Sequence, residues 1–294
     1  MLPGMAEKPR VAIVGAGNFG SALAVALRQA GYAIEAVIAR ARGESHQGES
    51  RKRTQNLAAQ VGARALHDLS AVRGELIWFC VPDAEIARAA KSLAKKIEWK
   101  GRVALHSSGA FTSDELAVLR RRGASVASVH PLMTFVRGSR PSLAGVSFAV
   151  EGDPAALRSA RRVIRDVGGR AYSIRKKDKA VYHAWGTFAS PLLTALLATT
   201  EQVAGLAGVT RKAARRRMIP ILLQTLANYA AFGAAGGFSG PIVRGDVNTV
   251  KRHLSVLRGT PAAEVYAALA RAALQYLPVK HKNSLKRILR SSRS

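Results

Sequence analysis

Cysteine and acidic residues are scarce in this sequence. The single cysteine, Cys80, excludes a disulfide framework and is typical of a reducing compartment, so we expect a cytoplasmic protein. No cluster of cysteine and histidine has metal-ligand spacing, so we expect no metal site. Only 18 acidic residues oppose 46 basic ones, which gives a net charge of +28. The basic residues are spread over the whole chain without interleaved aromatics, so nucleic-acid binding is kept only as an alternative.

Long hydrophobic runs are also missing. Residues 1–10 lack the apolar stretch of a signal peptide. The most hydrophobic segment, residues 184–200, is shorter than a membrane span and contains polar residues, so we expect a buried helix there and no membrane partner. A hydrophobic content of 48% in 294 residues is instead typical of a globular protein large enough for two domains.

Short apolar runs alternate with helical patterns in the first half of the chain, which indicates a parallel α/β sheet. From residue 176 onward only helical periodicity remains. We therefore predict an α/β fold with a mostly parallel sheet in a domain of residues 1–175 and an all-helical domain of residues 176–294. Strands are predicted at residues 11–14, 33–39, 75–81, 102–106, 124–129, 147–150 and 171–174.

A glycine-rich turn follows the first predicted strand and opens a helix. Gly15, Gly17 and Gly20 have the spacing that gives a tight turn, a close approach of backbone to a pyrophosphate, and close packing of helix on strand. This context is typical of a Rossmann-like dinucleotide-binding domain. We predict that the three glycines bind the cofactor together with Asn18 and Phe19. A tight turn without a ligand is the alternative.

The end of the second predicted strand distinguishes NADP from NAD. An NAD enzyme usually ends this strand with an acidic residue that binds the ribose hydroxyl groups, but Glu35 comes too early for that role. Arg40 and Arg42 follow the strand instead, and guanidinium groups suit a 2′-phosphate. We predict NADP as the cofactor, held in part by these two arginines. Their membership of a generally basic surface is the alternative.

Polar and turn-forming residues follow three further predicted strands. Ligands of open α/β sheets bind beyond the carboxyl ends of the strands, so we predict that Val81, Pro82 and Ser107 contact the cofactor. At the same edge we predict a catalytic role for Ser108 and a substrate contact for His130. Serine and proline are also ordinary turn residues, and that alternative stays open.

A polar stripe marks the first helix of the predicted helical domain. Its members recur at steps of three or four on a helix whose other faces are apolar, which indicates a polar partner or a wet cleft. We predict that His183 donates to the substrate during reduction and that Thr187 contacts the substrate. A helix with one solvated side is the alternative. The stripe comprises Lys179, His183, Thr187, Ser190 and Thr194.

Charged residues near the C-terminus form a second candidate group. Arg244 has no local structural explanation, so we predict that it binds an anionic group of the substrate or pairs with Asp246. His253 lies two helical turns beyond Asp246 on the same face, and both are predicted to contact the substrate. Capping of the next helix is the alternative role of Asp246.

Several motifs resemble the family that joins a Rossmann-like domain to the C-terminal domain of unknown function 2520. The resemblance covers nearly the whole chain. Its motifs are His106-Ser-Ser-Gly-Ala110, Val129-His-Pro-Leu132 with Phe135, Tyr182-His-Ala184, and Gly240-Pro-Ile-Val-Arg-Gly-Asp246 with His253.

The family is similar in plan to pyrroline-5-carboxylate reductase, ketopantoate reductase and the 6-phosphogluconate dehydrogenase group. The resemblance implies an NADP oxidoreductase whose helical domain closes over the nicotinamide and forms a homodimer. Pro191 departs from the asparagine common in the family at that position. We expect hydride transfer between NADP(H) and a small carbonyl, imine or hydroxy-acid substrate, with a non-catalytic NADP(H) sensor as the alternative.

Overall fold

The computed structural model describes residues 7–39, 47–67, 69–139 and 141–290, and shows an α/β fold. An eight-stranded sheet has the order β3-β2-β1-β4-β5-β6-β7-β8. All neighbouring strands are parallel except β6 and β7, which are antiparallel. The predicted mostly parallel sheet followed by helices is confirmed. The strands are β1 Val11–Val14, β2 Ile34–Ile38, β3 Arg64–Leu66, β4 Leu76–Phe79, β5 Val103–His106, β6 Ser125–Pro131, β7 Ser147–Gly152 and β8 Arg170–Ser173.

Helices cover both faces of this sheet, which explains why its central strands are apolar throughout. In β1, Val11 and Ile13 belong to the core on one face, whereas Ala12 and Val14 belong to the core on the other. The helices of this part are α1 Asn18–Gln29, α2 Gln47–Val61, α3 Ile86–Ala94, α4 Ala117–Arg120, α5 Pro154–Asp166 and α6 Lys179–Thr187.

The contacts divide the chain into two compact units, Met1–Phe188 and Ala189–Ser294. Helix α6 belongs to the first unit, where Lys179 and Tyr182 are buried. The predicted domains 1–175 and 176–294 remain a prediction about functional units, which the contacts alone do not test.

The second unit consists of helices. Its core contains Val250, Leu274 and Leu285, which lie on three different helices. The helices are α7 Leu193–Leu206, α8 Arg211–Gly236, α9 Pro241–Arg244, α10 Val247–Leu257, α11 Pro261–Tyr276 and α12 Lys282–Arg290.

Two of these helices bury almost none of their apolar residues within the chain. Helix α7 has no buried residue among those described, and α8 has only Ala214. The prediction of a buried helix over residues 184–200 is therefore wrong for a single copy of the chain. By length and composition alone, the helical stretch Arg211–Arg244 could cross a membrane, and none of its apolar window is buried.

Candidate functional site

The glycine-rich turn packs tightly between β1 and β4. Gly15 has a φ of 103°, and a Cβ atom there would lie 2.7 Å from the carbonyl oxygen of Cys80. A Cβ atom at Gly20 would lie 2.2 Å from the carbonyl oxygen of Gly15. Both distances are well below van der Waals contact, so these two positions need glycine for the packing that the sequence predicts.

Gly17 differs from the other two glycines because it faces open space. The nearest atom to an added Cβ would be the Cys80 carbonyl oxygen, 3.9 Å away. Gly17 also caps α1 without a side-chain hydrogen bond, so the first N–H groups of the helix remain available to an anion. A groove of about 280 Å³ lies beside it, lined also by Phe19, Arg53 and Pro82. This opening fits the pyrophosphate of a dinucleotide.

A loop of residues 132–139 is attached to the glycine-rich turn. The Asn18 side-chain amide donates to the Phe135 carbonyl oxygen at 3.0 Å. The Phe19 and Phe135 rings meet edge to face with centroids 5.1 Å apart. The side chain of Asn18 therefore positions this loop, and any contact of Asn18 with a cofactor would come from its backbone or its amide oxygen.

Arg40 and Arg42, the predicted ligands of the 2′-phosphate, lie outside the described residues. Two other arginines lie beside the turn: Arg53 on α2 and Arg137 on the loop of residues 132–139. Both pair with Glu49, and the Arg137 contact measures 2.7 Å. The hydrogen bond from Arg53 is the largest influence that lowers the pKa of Glu49. An anionic carboxylate thus already occupies a place where two guanidinium groups converge.

A second, smaller cavity of about 160 Å³ lies at the carboxyl ends of β4, β5 and β6. It brings together three residues that were predicted from different parts of the sequence: Val81, Ser107 and His130. Phe19 and Phe135 also line it, so this cavity shares two residues with the glycine-rich turn and its attached loop. The position suits the reacting end of a bound dinucleotide and a small substrate.

The two serines after β5 are both engaged in hydrogen bonds. The Trp78 indole N–H donates to Ser107 Oγ at 2.7 Å, which holds Ser107 at the cavity wall. Ser108 is buried; its hydroxyl group donates to Asp83 at 2.8 Å and accepts from the Phe111 N–H at 2.9 Å. The catalytic role of Ser108 remains a prediction, but these contacts support a role in shaping the turn.

A buried ammonium group lies beneath these serines. The Nζ atom of Lys179, which is 0% exposed, donates to the Ser108 carbonyl oxygen at 3.0 Å and to Ser128 Oγ at 2.7 Å. Within the described chain no carboxylate lies close enough to form a salt bridge with it. Burial lowers the pKa of Lys179 to about 8. Burial also lowers the pKa of His106, the neighbouring strand residue, to about 4.

His183 and His130 meet at Gly109. Their ring centroids are 5.8 Å apart. A Cβ atom at Gly109 would lie 2.4 Å from the His183 ring and 2.9 Å from His130 Nε2, so glycine is needed for both rings to approach the turn. Thr187 lies one turn beyond His183 and donates to the His183 carbonyl oxygen at 3.0 Å. This hydrogen bond lies within the helix, and Thr187 is not among the residues that line the cavity, so its substrate contact remains a prediction.

In the helical unit, the second candidate group consists of Arg244, Asp246 and His253, and Arg244 and His253 both act on the carboxylate of Asp246. This carboxylate caps α10 by accepting from the Thr249 N–H at 3.0 Å and from the Thr249 hydroxyl at 2.6 Å. Those bonds lower its pKa, and the charges of Arg244 and His253 lower it further. His253 Nδ1 lies 3.0 Å from the Tyr266 hydroxyl. The capping role of Asp246 is therefore present, and the substrate contacts of all three predicted residues remain predictions.

Two domain families match the sequence. Residues 5–131 match a Rossmann-like domain, and residues 146–273 match the domain of unknown function DUF2520. The chain joins a Rossmann-like domain to a DUF2520 domain. The DUF2520 match begins at the start of β7, so this domain includes the last two strands of the sheet as well as most of the helices.

Solved structures share this fold at low sequence identity. A Bacteroides fragilis protein, described provisionally as an NADP oxidoreductase, has a TM-score of 0.73 and 20% identity over 90% of this chain and 97% of that one. A reductive aminase from Aspergillus terreus, in complex with NADPH and ethyl-5-oxohexanoate, has a TM-score of 0.66 and 16% identity over 96% and 100%. A pyrroline-5-carboxylate reductase from Coxiella burnetii has a TM-score of 0.57 and 12% identity over 97% and 98%. A search of curated protein sequences found no match to this chain.

Sequence reasoning did not single out several residues of the site. Arg53 and Arg137 were not named because nothing in their spacing connects them to the glycine-rich turn. Lys179 was placed on the polar stripe of α6 without a role, and Tyr182 was quoted only as part of a DUF2520 motif. The pairing of Tyr182 with His130 joins residues 52 positions apart, so local pattern could not reveal it.

Proposed function

We propose that this protein is an oxidoreductase that transfers a hydride between NADP(H) and a small carbonyl, imine or hydroxy-acid substrate. The open Gly17 turn beside the cavity that contains Ser107 and His130 is the observation that carries the proposal. It offers a pyrophosphate site and, next to it, a small pocket with an imidazole. The similar folds described as binding NADPH or reducing imines support the same class of reaction.

NADP rather than NAD is supported by the charge around the glycine-rich turn. Arg53 lines the groove beside Gly17, and Arg137 reaches the same carboxylate, Glu49. A phosphate that carries two charges would compete well for these guanidinium groups. Arg40 and Arg42 follow β2 in the sequence and would add to this site as ligands of the 2′-phosphate.

At the cavity of about 160 Å³, the substrate is expected to contact residues of the first unit. Ser107 and His130 would contact its reacting group at the cavity, and His183 would orient His130 from α6. The charge of Arg244 helps to lower the pKa of Asp246, and the anion-binding role of Arg244 stays a prediction. The substrate contacts predicted for Asp246 and His253 also stay predictions.

A homodimer would explain the uncovered helices of the DUF2520 domain. Up to the non-helical Gly233, helix α8 spans about 33 Å at ~1.5 Å per residue, and most of its large apolar side chains are exposed along that length. An apolar surface of this extent marks an interface rather than a solvent-facing side. A second copy would bury it at roughly 1.5–3 kcal/mol for each large side chain. The exposed residues on α8 are Ile219, Ile221, Leu223, Leu226, Tyr229 and Phe232.

Calorimetric titration of the purified full-length chain with NADPH and with NADH tests the first half of the proposal. Oxidation of NADPH in the presence of a panel of 2-oxo acids, cyclic imines and ketones tests the second half. The expected result is tighter binding of NADPH than NADH and turnover of at least one compound class. Binding without any turnover, unchanged in a His183→Ala variant, would favour a sensor over an enzyme.

A further inference from the structure

His130 lies near the end of β6 with its two ring nitrogens in different surroundings. Nδ1 lies 2.7 Å from the Tyr182 hydroxyl group. Nε2 has no hydrogen-bond partner within the described chain, and it is not a buried atom. His130 is one of the residues that line the 160 Å³ cavity at the strand ends. One nitrogen is therefore held by the protein, and the other is free to meet a ligand.

The contacts of Tyr182 assign the proton in this pair. Two other groups lie near its hydroxyl group. The His130 carbonyl oxygen is 3.5 Å away, a distance too long for a good hydrogen bond. Burial raises the pKa of Tyr182, and so does the buried Tyr172 hydroxyl group, which has no hydrogen-bond partner within the described chain. The hydroxyl proton of a buried tyrosine needs a hydrogen-bond acceptor. Tyr182 therefore donates to His130 Nδ1, which lies 2.7 Å away. Nδ1 then carries no proton, and a neutral ring holds its proton on Nε2.

The surroundings of His130 keep this ring neutral. Burial is the largest influence that lowers its pKa to about 3, followed by the charge of Lys179 and by the two histidines His183 and His106. Lys179 and His183 face it from α6, and His106 faces it from β5. The carboxylates of Glu151 and Asp83 act on Lys179 instead, where they raise a pKa that burial lowers.

We propose that His130 binds the reacting oxygen or nitrogen of the substrate as a neutral imidazole that donates from Nε2, and that Tyr182 and Lys179 are positioning residues that fix its tautomer and charge. This inference rests on the proposed function. As a hydride adds to a carbonyl carbon, the π electron pair moves to the oxygen, and the Nε2–H group stabilises the charge that develops there. Solvent then supplies the proton, because a neutral imidazole is a far weaker acid than an imidazolium ion.

The tautomer can be measured directly by nitrogen NMR on the full-length protein with ¹⁵N-labelled histidine, alone and with NADPH. The His130→Gln variant identifies the resonance, and His67→Gln, at an exposed position, is the matched control. We expect a protonated Nε2 and an unprotonated Nδ1 from about pH 8 down to about pH 5, whereas an ordinary histidine titrates near pH ~6.5. A proton on Nδ1, or titration near the ordinary value, would overturn the inference.

Two further variants separate positioning from folding. Tyr182→Phe keeps the ring but removes the donor, so we expect a mixture of tautomers at His130 without loss of NADPH binding. With a reduced compound from the panel, His130→Ala should lower kcat about 100- to 1000-fold, and His130→Gln, which retains an N–H donor, should recover part of it. A wild-type tautomer in Tyr182→Phe, or equal rates in Ala and Gln variants, would contradict the assignment. Absence of NADPH binding refutes the proposed function, and the tautomer measurement decides the role of Tyr182 in either case.

Discussion

Replacement of Gly17 by alanine adds one methyl group to the glycine-rich turn at a place where the protein's own atoms leave room. The backbone there has a φ of −76°, which alanine adopts readily, and the nearest atom to the new Cβ lies 3.9 Å away. Alanine is a poorer helix cap than glycine, but it lowers the entropy of the unfolded chain by a comparable amount. We therefore expect the melting temperature to stay within a few degrees of wild type.

The same methyl group would stand between the backbone N–H groups and a pyrophosphate. Loss of one hydrogen bond to a charged group costs about 1.5–3 kcal/mol, which corresponds to about a 10- to 100-fold increase in the Kd for NADPH. Isothermal titration calorimetry measures the Kd, and thermal unfolding followed by circular dichroism measures stability. Wild-type affinity in Gly17→Ala would show that the ligand does not approach this turn.

Gly20→Ala is the matched control because it carries the same change three residues further on. Its Cβ would lie 2.2 Å from the Gly15 carbonyl oxygen, so the helix or the turn must shift. Overpacking of this kind costs about 1–3 kcal/mol, or a melting temperature lower by roughly 2–12 °C for a domain of this size. A Gly20→Ala variant as stable as wild type would refute the account of how the turn packs.

Three other predictions concern the cofactor, acid stability and assembly. Arg53→Gln should raise the Kd for NADPH more than that for NADH, whereas Lys52→Gln beside it should change neither in the same titrations. Equal effects of Arg53→Gln on both nucleotides would argue against a contact of Arg53 with the 2′-phosphate. Because the pKa of His106 falls from 6.5 to about 4 on folding, the unfolded chain binds the proton first as pH falls between these values. His106 should contribute about 3 kcal/mol to the loss of unfolding free energy over that window, beside a contribution from His130. Urea unfolding of His106→Gln should therefore show a loss smaller than that of wild type by about 3 kcal/mol, and equal losses in the two proteins would contradict it. Leu226→Glu combined with Tyr229→Glu should convert a dimer to a monomer in light scattering, and a monomeric wild type would refute the proposed interface.

Much of the sheet was predictable because a strand that is buried on both faces appears in the sequence as a continuous run of apolar residues. Strands β1 and β4 consist entirely of buried apolar residues, and their positions follow from the sequence. Strand β3 was missed because it is three residues long and its first residue, Arg64, is exposed. This edge strand is held by backbone pairing with β2 and by an ion pair from Arg64 to Glu35, neither of which produces a local hydrophobic pattern.

The candidate site was predictable only where its residues are neighbours in the sequence. The glycine spacing and the position of Ser107 after β5 follow from local rules. His130 was predicted just after a strand that ends at residue 129, whereas it lies inside β6, one residue before its end. The network that joins Lys179 to Ser128 and Tyr182 to His130 depends on how α6 packs on the sheet, and this is a tertiary property. Apolar composition likewise predicted a buried helix over residues 184–200, but α7 has no buried residue within the described chain.

Titration of the wild-type protein with NADPH is the most direct test of the central claim. The account predicts saturable binding of one NADPH per chain that is tighter than the binding of NADH and is weakened by Gly17→Ala without loss of stability. Failure of a folded protein to bind either nucleotide would contradict it.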